Sequence, residues 1–151
     1  MKKLFVFFLF LTSCAIPFES SNTQIDVEFL PYLNTYRQYK LTYLKTDYIS
    51  NIDIIFFSLN PPTIGTCKFK PNGEKLIKID PVYWFFGSTS TQKELLLLHE
   101  LGHCDLDRDH SDASSIMEKS IPFEFDYVPN KSYYLEEFFQ LIPTRNLHVV
   151  Q

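Results

Sequence analysis

The sequence predicts one α+β domain in which a short mixed sheet packs on a central helix. Three observations carry this expectation. The early chain has a helical apolar pattern, a strand and a hairpin signal follow, and an apolar stretch at 94–98 reads as helix.

Over 25–45 the apolar and aromatic positions Phe29, Leu33, Tyr36, Tyr39, Tyr43 and Leu44 fit an amphipathic helix better than alternation. Pro31 belongs near its first turn, where a missing N–H costs nothing. The run 52–59, rich in isoleucine and phenylalanine, reads as a buried strand that Asn60, Pro61 and Pro62 stop. Segments 66–70 and 75–80 flank Pro71-Asn72-Gly73-Glu74, whose Asn-Gly pair is a strong hairpin signal. Ser90 or Thr91 can cap a helix from Gln92 onward, with Glu94 as the capping-box partner. After Met117 the chain reads as loop up to Asn130, and 132–141 reads as a final helix stopped by Pro143. Aromatic residues make up 17% of the chain, which suits a core filled with rings.

The central helix carries His99-Glu100-Leu101-Gly102-His103. Residues four apart on a helix stand one above the other, so both imidazoles face one spot at a distance that suits a zinc ion. Glu100 lies one position round and can reach a water at the fourth coordination place, which makes it the candidate general base. A catalytic zinc takes three protein ligands plus water, and His110 lies a short way beyond the helix to supply the third.

The block 92–117 resembles the metzincin clan of zinc endopeptidases, above all the matrixin-like pattern of HExGH, a turn, a histidine followed by serine, and a methionine turn beneath the metal. Met117 is the one methionine besides the initiator and lies seven residues after His110, close to where a metzincin places that turn. The resemblance implies a small zincin/metzincin-like domain, an edge strand bordering the cleft, zinc as cofactor, and a peptide or protein substrate. The chain departs from the pattern in one respect. The positions of the metzincin glycine and third ligand hold Leu106 and Asp109, with His110 one further on. Either the turn carries an extra residue and His110 binds the metal, or Asp109 does; imidazole is the commoner donor and favours His110. A different zinc arrangement would take its third ligand from Glu118 or Glu124, but Pro122 interrupts the segment between them. Tyr127 could add a hydrogen bond at the reacting centre, as a tyrosine does in some metzincins, yet nothing in its spacing separates it from the other tyrosines, so it reads as core.

At the N-terminus, Lys2 and Lys3 precede an apolar core at 4–11 that is too short to span a bilayer, the pattern of an export signal. It ends Leu11-Thr12-Ser13-Cys14, which resembles the lipobox of bacterial lipoproteins, where the cysteine is acylated. The expected organisation is a lipoprotein signal peptide at 1–13, a lipidated N-terminus and tether at 14–23, and a zinc-peptidase-like domain at 24–151. This resemblance implies anchoring to the bacterial cell envelope through lipid on Cys14, with Ala15 favouring the outer membrane. When Lys2 and Lys3 leave with the leader, the formal net charge of −4 becomes about −6. With no basic stripe, nucleic acid is not an expected partner. Cys67 and Cys104 remain, and in an exported compartment they are expected to form a disulfide closing a loop of about 37 residues.

The expected function is a membrane-anchored zinc metalloendopeptidase, with His99, His103 and His110 holding zinc and Glu100 moving the proton. The alternatives are a lipoprotein that binds zinc without turnover, which has no need of Glu100, and a structural envelope lipoprotein that binds no metal.

Overall fold

Helix α1 (Leu30–Leu44) follows a short 3-10 turn at Val27–Phe29 and carries Pro31 in its first turn, burying Leu33, Tyr36 and Lys40. The protein is seen here in a computed structural model that describes residues 23–112 and 114–141. The export signal, Cys14 and Pro143 lie outside the described residues. The helix starts later than the apolar pattern suggested. Ile25 instead bridges to Ile54, with backbone hydrogen bonds from Asp26 to Ile54 at 3.0 Å and from Ile54 to Gln24 at 2.8 Å.

Strand β1 (Ile52–Phe56) is shorter than the apolar run that encodes it, because the Asp80 carboxylate takes the Leu59 N–H at 3.0 Å and draws the chain out of the sheet. Strands β2 (Gly65–Phe69) and β3 (Lys75–Ile79) form the expected antiparallel hairpin, with Gly73 supplying the left-handed residue of the turn at φ 83°. The sheet order is β1-β3-β2, parallel between β1 and β3 and antiparallel between β3 and β2. Gln24 and Asp26 cover the outer edge of β1, while β2 has no strand on its outer edge among the described residues.

A π-helical turn at Tyr83–Gly87, which the sequence reading did not anticipate, buries Trp84 against Phe29 and Tyr32 at ring-centroid distances of 4.9 Å and 5.2 Å. Helix α2 (Ser90–Cys104) then crosses the molecule. Its cap differs from the expected one: Thr89 is the N-cap, and its box partner is Gln92. The box requires a partner three residues past the cap, a place Gln92 holds and Glu94 does not. Glu94 instead accepts hydrogen bonds from Tyr39 at 3.0 Å and Tyr127 at 2.9 Å and pairs with Lys131 at 2.8 Å.

The stretch expected to be loop holds a short helix α3 (Glu124–Tyr127) and a 3-10 turn at Val128–Asn130, anchored by buried Tyr127. The last described helix, α4 (Lys131–Phe138), starts one residue before the expected position and stops at Phe138, short of Leu141, with Gln140 left-handed at φ 59°.

Helix α2 is buried nearly all round from Leu95 to Cys104, as an apolar helix at the centre of a small domain must be. Ile54, Ile77 and Ile79 line the buried face of the sheet. On another side of α2, an ideal Cβ on Gly102 would collide with the Met117 sulfur and lie 2.9 Å from the Phe138 ring. Only glycine lets the methionine and α4 approach this closely. Cys67 and Cys104 are disulfide-bonded with a Cα separation of 5.7 Å, tying β2 to the last turn of α2. No helix among the described residues is long and apolar enough to cross a membrane.

Candidate metal centre

Two residues of α2, His99 and His103, project from the last two turns of the helix, and the loop beyond it brings His110 to the same point. The left-handed residue of that loop is Asp107, at φ 54°, one place past Leu106. Aspartate tolerates this conformation better than most side chains. Asp105 continues the helical hydrogen-bonding by donating to Leu101 O at 2.7 Å, and Arg108 N–H folds back onto Gly102 O at 3.0 Å. His110 therefore arrives over the helix. Asp109, Glu118 and Glu124 are not part of the cluster: Asp109 lines the surrounding cleft, Glu118 accepts from Ser115 N–H at 3.2 Å, and Glu124 accepts from the Thr89 hydroxyl.

The Nε2 atoms of His99 and His103 are 3.1 Å apart, those of His103 and His110 3.3 Å, and all three ligand atoms lie within 4.8 Å of one another. Three nitrogens bound tetrahedrally to one zinc at about 2.05 Å stand roughly 3.3 Å from each other, so the donor set fits that ion. The outer nitrogens agree with this. His99 Nδ1 lies 2.8 Å from Ile116 O and His103 Nδ1 2.6 Å from Arg108 O. A carbonyl only accepts, so each Nδ1 carries the proton and each Nε2 turns a lone pair inward. Burial lowers the pKa of His99 to about 4 and lowers that of His110, which keeps both rings neutral and able to bind a cation.

The two carbonyls that orient these rings are joined through one acid. Glu137 of α4, 1% exposed, pairs with Arg108 at 2.6 Å and accepts the Ser115 hydroxyl at 2.6 Å. The Arg108 guanidinium also caps α4, donating to Glu137 O at 3.1 Å and Phe138 O at 2.8 Å. Ser115 Oγ in turn accepts from Met117 N–H at 2.9 Å. Glu137 thus grips both the loop that ends at His110 and the turn that carries Met117. Neither residue follows a spacing rule that would reveal it in the sequence, because the contact joins α4 to loops more than twenty positions earlier in the chain.

Glu100 is 4% exposed and faces β2. Burial raises its pKa to about 8, an effect partly offset by the hydrogen bond from Cys67 N–H. Gly65 makes room for it: a Cβ there would lie 2.5 Å from Glu100 Oε1. Gly65 lies one residue before the segment 66–70 read as strand, so the sequence reading did not single it out. The histidines and Glu100 line one side of a cleft of about 980 Å³, and β2 with the preceding residues Thr63 and Ile64 forms the opposite wall. Tyr127 lies elsewhere, buried in the core with its hydroxyl on Glu94.

Comparisons with protein-family models, with curated proteins and with solved structures found no match to this chain.

Proposed function

We propose that the protein is a zinc-dependent metalloendopeptidase of metzincin-like type, carried on a bacterial lipoprotein signal. The observation that carries this reading is the convergence of three histidine Nε2 atoms beside a buried glutamate, in a cleft walled by β2, whose outer edge carries no strand among the described residues. The loop geometry gives further support. Relative to the metzincin pattern, the left-handed residue and the third histidine are both displaced by one, to Asp107 and His110, as a single inserted residue requires. Met117 packs under Gly102 as a methionine turn would.

His99, His103 and His110 are the residues that would hold zinc, which when bound polarises a carbonyl and lowers the pKa of water. The chain's own residues account for the remaining roles. The outer edge of β2 offers backbone donors and acceptors to an extended peptide and lays it across the cleft. Glu100 Oε accepts a proton from the attacking water and passes it to the nitrogen of the leaving amine, so the group ends the cycle as it began.

The test uses the full chain. About one zinc per chain by mass spectrometry is expected, lost in His110→Ala and kept in Asp109→Ala and Glu100→Gln. Hydrolysis of denatured protein should disappear in Glu100→Gln. A metal-free parent, or activity persisting in that variant, overturns the reading.

A further inference from the structure

Beside the metal cleft lies a second hollow of about 430 Å³, walled by Leu59, Pro62 and Ile64 on one side and Val82, Tyr83 and Phe86 on the other. The two adjoin, since Pro62, Thr63, Ile64 and Tyr83 line both. Its walls are fixed from below by one acid: Asp80 accepts the N–H groups of Leu59 at 3.0 Å, Val82 at 2.9 Å and Tyr83 at 3.0 Å. Asp80 N–H also donates to Ile64 O at 2.9 Å. The hollow is therefore preformed. Its apolar lip is left open to solvent, with Phe86 87% exposed and Val82 66% exposed, the kind of apolar surface that marks a binding site.

Its place relative to Glu100 follows from the strand. Gly65 abuts the Glu100 carboxylate, so the bond to be cleaved lies opposite the start of β2. Thr63 precedes Gly65 by two residues, about 7 Å at extended spacing, and Pro62 lies one further back in the turn that Thr63 N–H closes onto Asn60 O at 3.0 Å. Antiparallel pairing is the more stable and commoner arrangement, and a peptide so paired to β2 runs toward its own C-terminus as it passes from Gly65 to Pro62.

We propose that this hollow is a substrate subsite that takes a large apolar side chain, such as leucine, methionine or an aromatic residue, two or three positions to the carboxyl side of the cleaved bond. The proposal rests on the peptidase reading above and names the substrate class for that cleft. Apolar walls over the Asp80 carboxylate disfavour aspartate and glutamate at the same position.

The experiment digests a library of proteome-derived peptides with the zinc-loaded full chain and reads the cleavage sites by mass spectrometry. The expected result is about tenfold enrichment of large apolar residues at the second or third position after the cut. In the Val82→Ser, Phe86→Ser double variant that enrichment should fall to near unity, with zinc content unchanged. Both side chains are mostly exposed, so the fold does not depend on them. Enrichment that is absent, that survives in the variant, or that falls on the amino side of the cut overturns the subsite and leaves the peptidase standing. A second measurement needs no turnover. A blocked alanine hexapeptide with one phenylalanine, titrated onto zinc-loaded Glu100→Gln, should shift the methyl resonances of Ile64 and Val82. A parent that cleaves nothing defeats the peptidase reading, whereas unshifted methyls defeat the subsite by themselves.

Discussion

At Glu100 and Gly65 the candidate chemistry depends on a few tenths of an ångström. The carboxylate sits so close to the β2 backbone that a single added methyl at residue 65 would lie 2.5 Å from Oε1. Gly65→Ala should therefore leave zinc stoichiometry unchanged while lowering peptide hydrolysis about 10²-fold, the scale of a 1 Å misplacement of a reacting group. Paired zinc analysis and kinetics on the variant would check this, and a loss of zinc would show that the methyl disturbs the histidines instead. The raised Glu100 pKa gives a second prediction. A carboxyl whose folded pKa is about 8, against an ordinary 4.5, is favoured in its protonated form by folding, so its contribution is full below about pH 4.5 and lost as pH rises to about 8. His99 and His110 act in the opposite sense, but only below about pH 6.5, where the unfolded chain binds their protons. Among the described groups with a shifted pKa, Glu100 is the one whose shift acts between pH 6.5 and 8. The melting temperature of the metal-free protein should fall over that interval, and Glu100→Gln should remove the part of the decline that Glu100 causes. At this scale much was legible in the sequence: the spacing of His99 and His103 dictated their convergence. The turn at Asp107 was not, because a left-handed aspartate leaves no pattern beyond the residue itself.

Among the elements, the decisive contacts are those that fix α2 and its following loop. Asp105, at the helix end, accepts from Tyr36 at 2.7 Å, Lys40 at 2.6 Å and Ser50 N–H at 3.0 Å, which binds α1 to the histidine-bearing helix α2. Glu137 does the corresponding work from α4, on the loops whose carbonyls orient His99 and His103. Glu137→Gln should weaken zinc binding about 10–100-fold, the usual effect of losing an outer partner of a metal ligand. Glu94→Gln serves as the comparison, since Glu94 also sits on α2 in a hydrogen-bonded group but reaches neither carbonyl. It should lower the melting temperature without a matching change in zinc affinity measured by chelator competition. Opening the disulfide with Cys67→Ser and Cys104→Ser should cost about 2–4 kcal/mol in denaturant unfolding, given the 37-residue separation it closes. The elements themselves were mostly readable, with α1, the hairpin and α2 near their expected places. The misses have local causes: Asp80 truncated β1, Gln92 rather than Glu94 completed the cap, and the rings around Trp84 and Tyr127 ordered segments whose sequence gives no clear periodicity.

The whole molecule places a mixed sheet, a buried helix and an acid-gripped loop around one cleft, and its layout was only partly recoverable from the chain. Periodicity identifies a strand but not its neighbours, so the β1-β3-β2 order and the identity of β2 as the open edge emerge only from the tertiary packing. That open edge has a consequence for how the protein behaves in concentrated solution. Unpaired N–H and C=O groups accept any extended chain, including the same strand of another copy. Lys68, on β2, discourages such pairing through its charge, while the 59% exposed Phe69 beside it favours it; the Lys70 ammonium is held by Asp53 at 2.7 Å and Glu74 at 3.1 Å. Replacing Lys68 by threonine should leave the melting temperature nearly unchanged at low protein concentration and produce concentration-dependent dimers by light scattering. Persistent monomers would mean that the edge is shielded in some other way. The surface proposed to admit a peptide is thus the one on which colloidal stability turns, and Lys68 sets the balance between taking up another chain and sticking to itself.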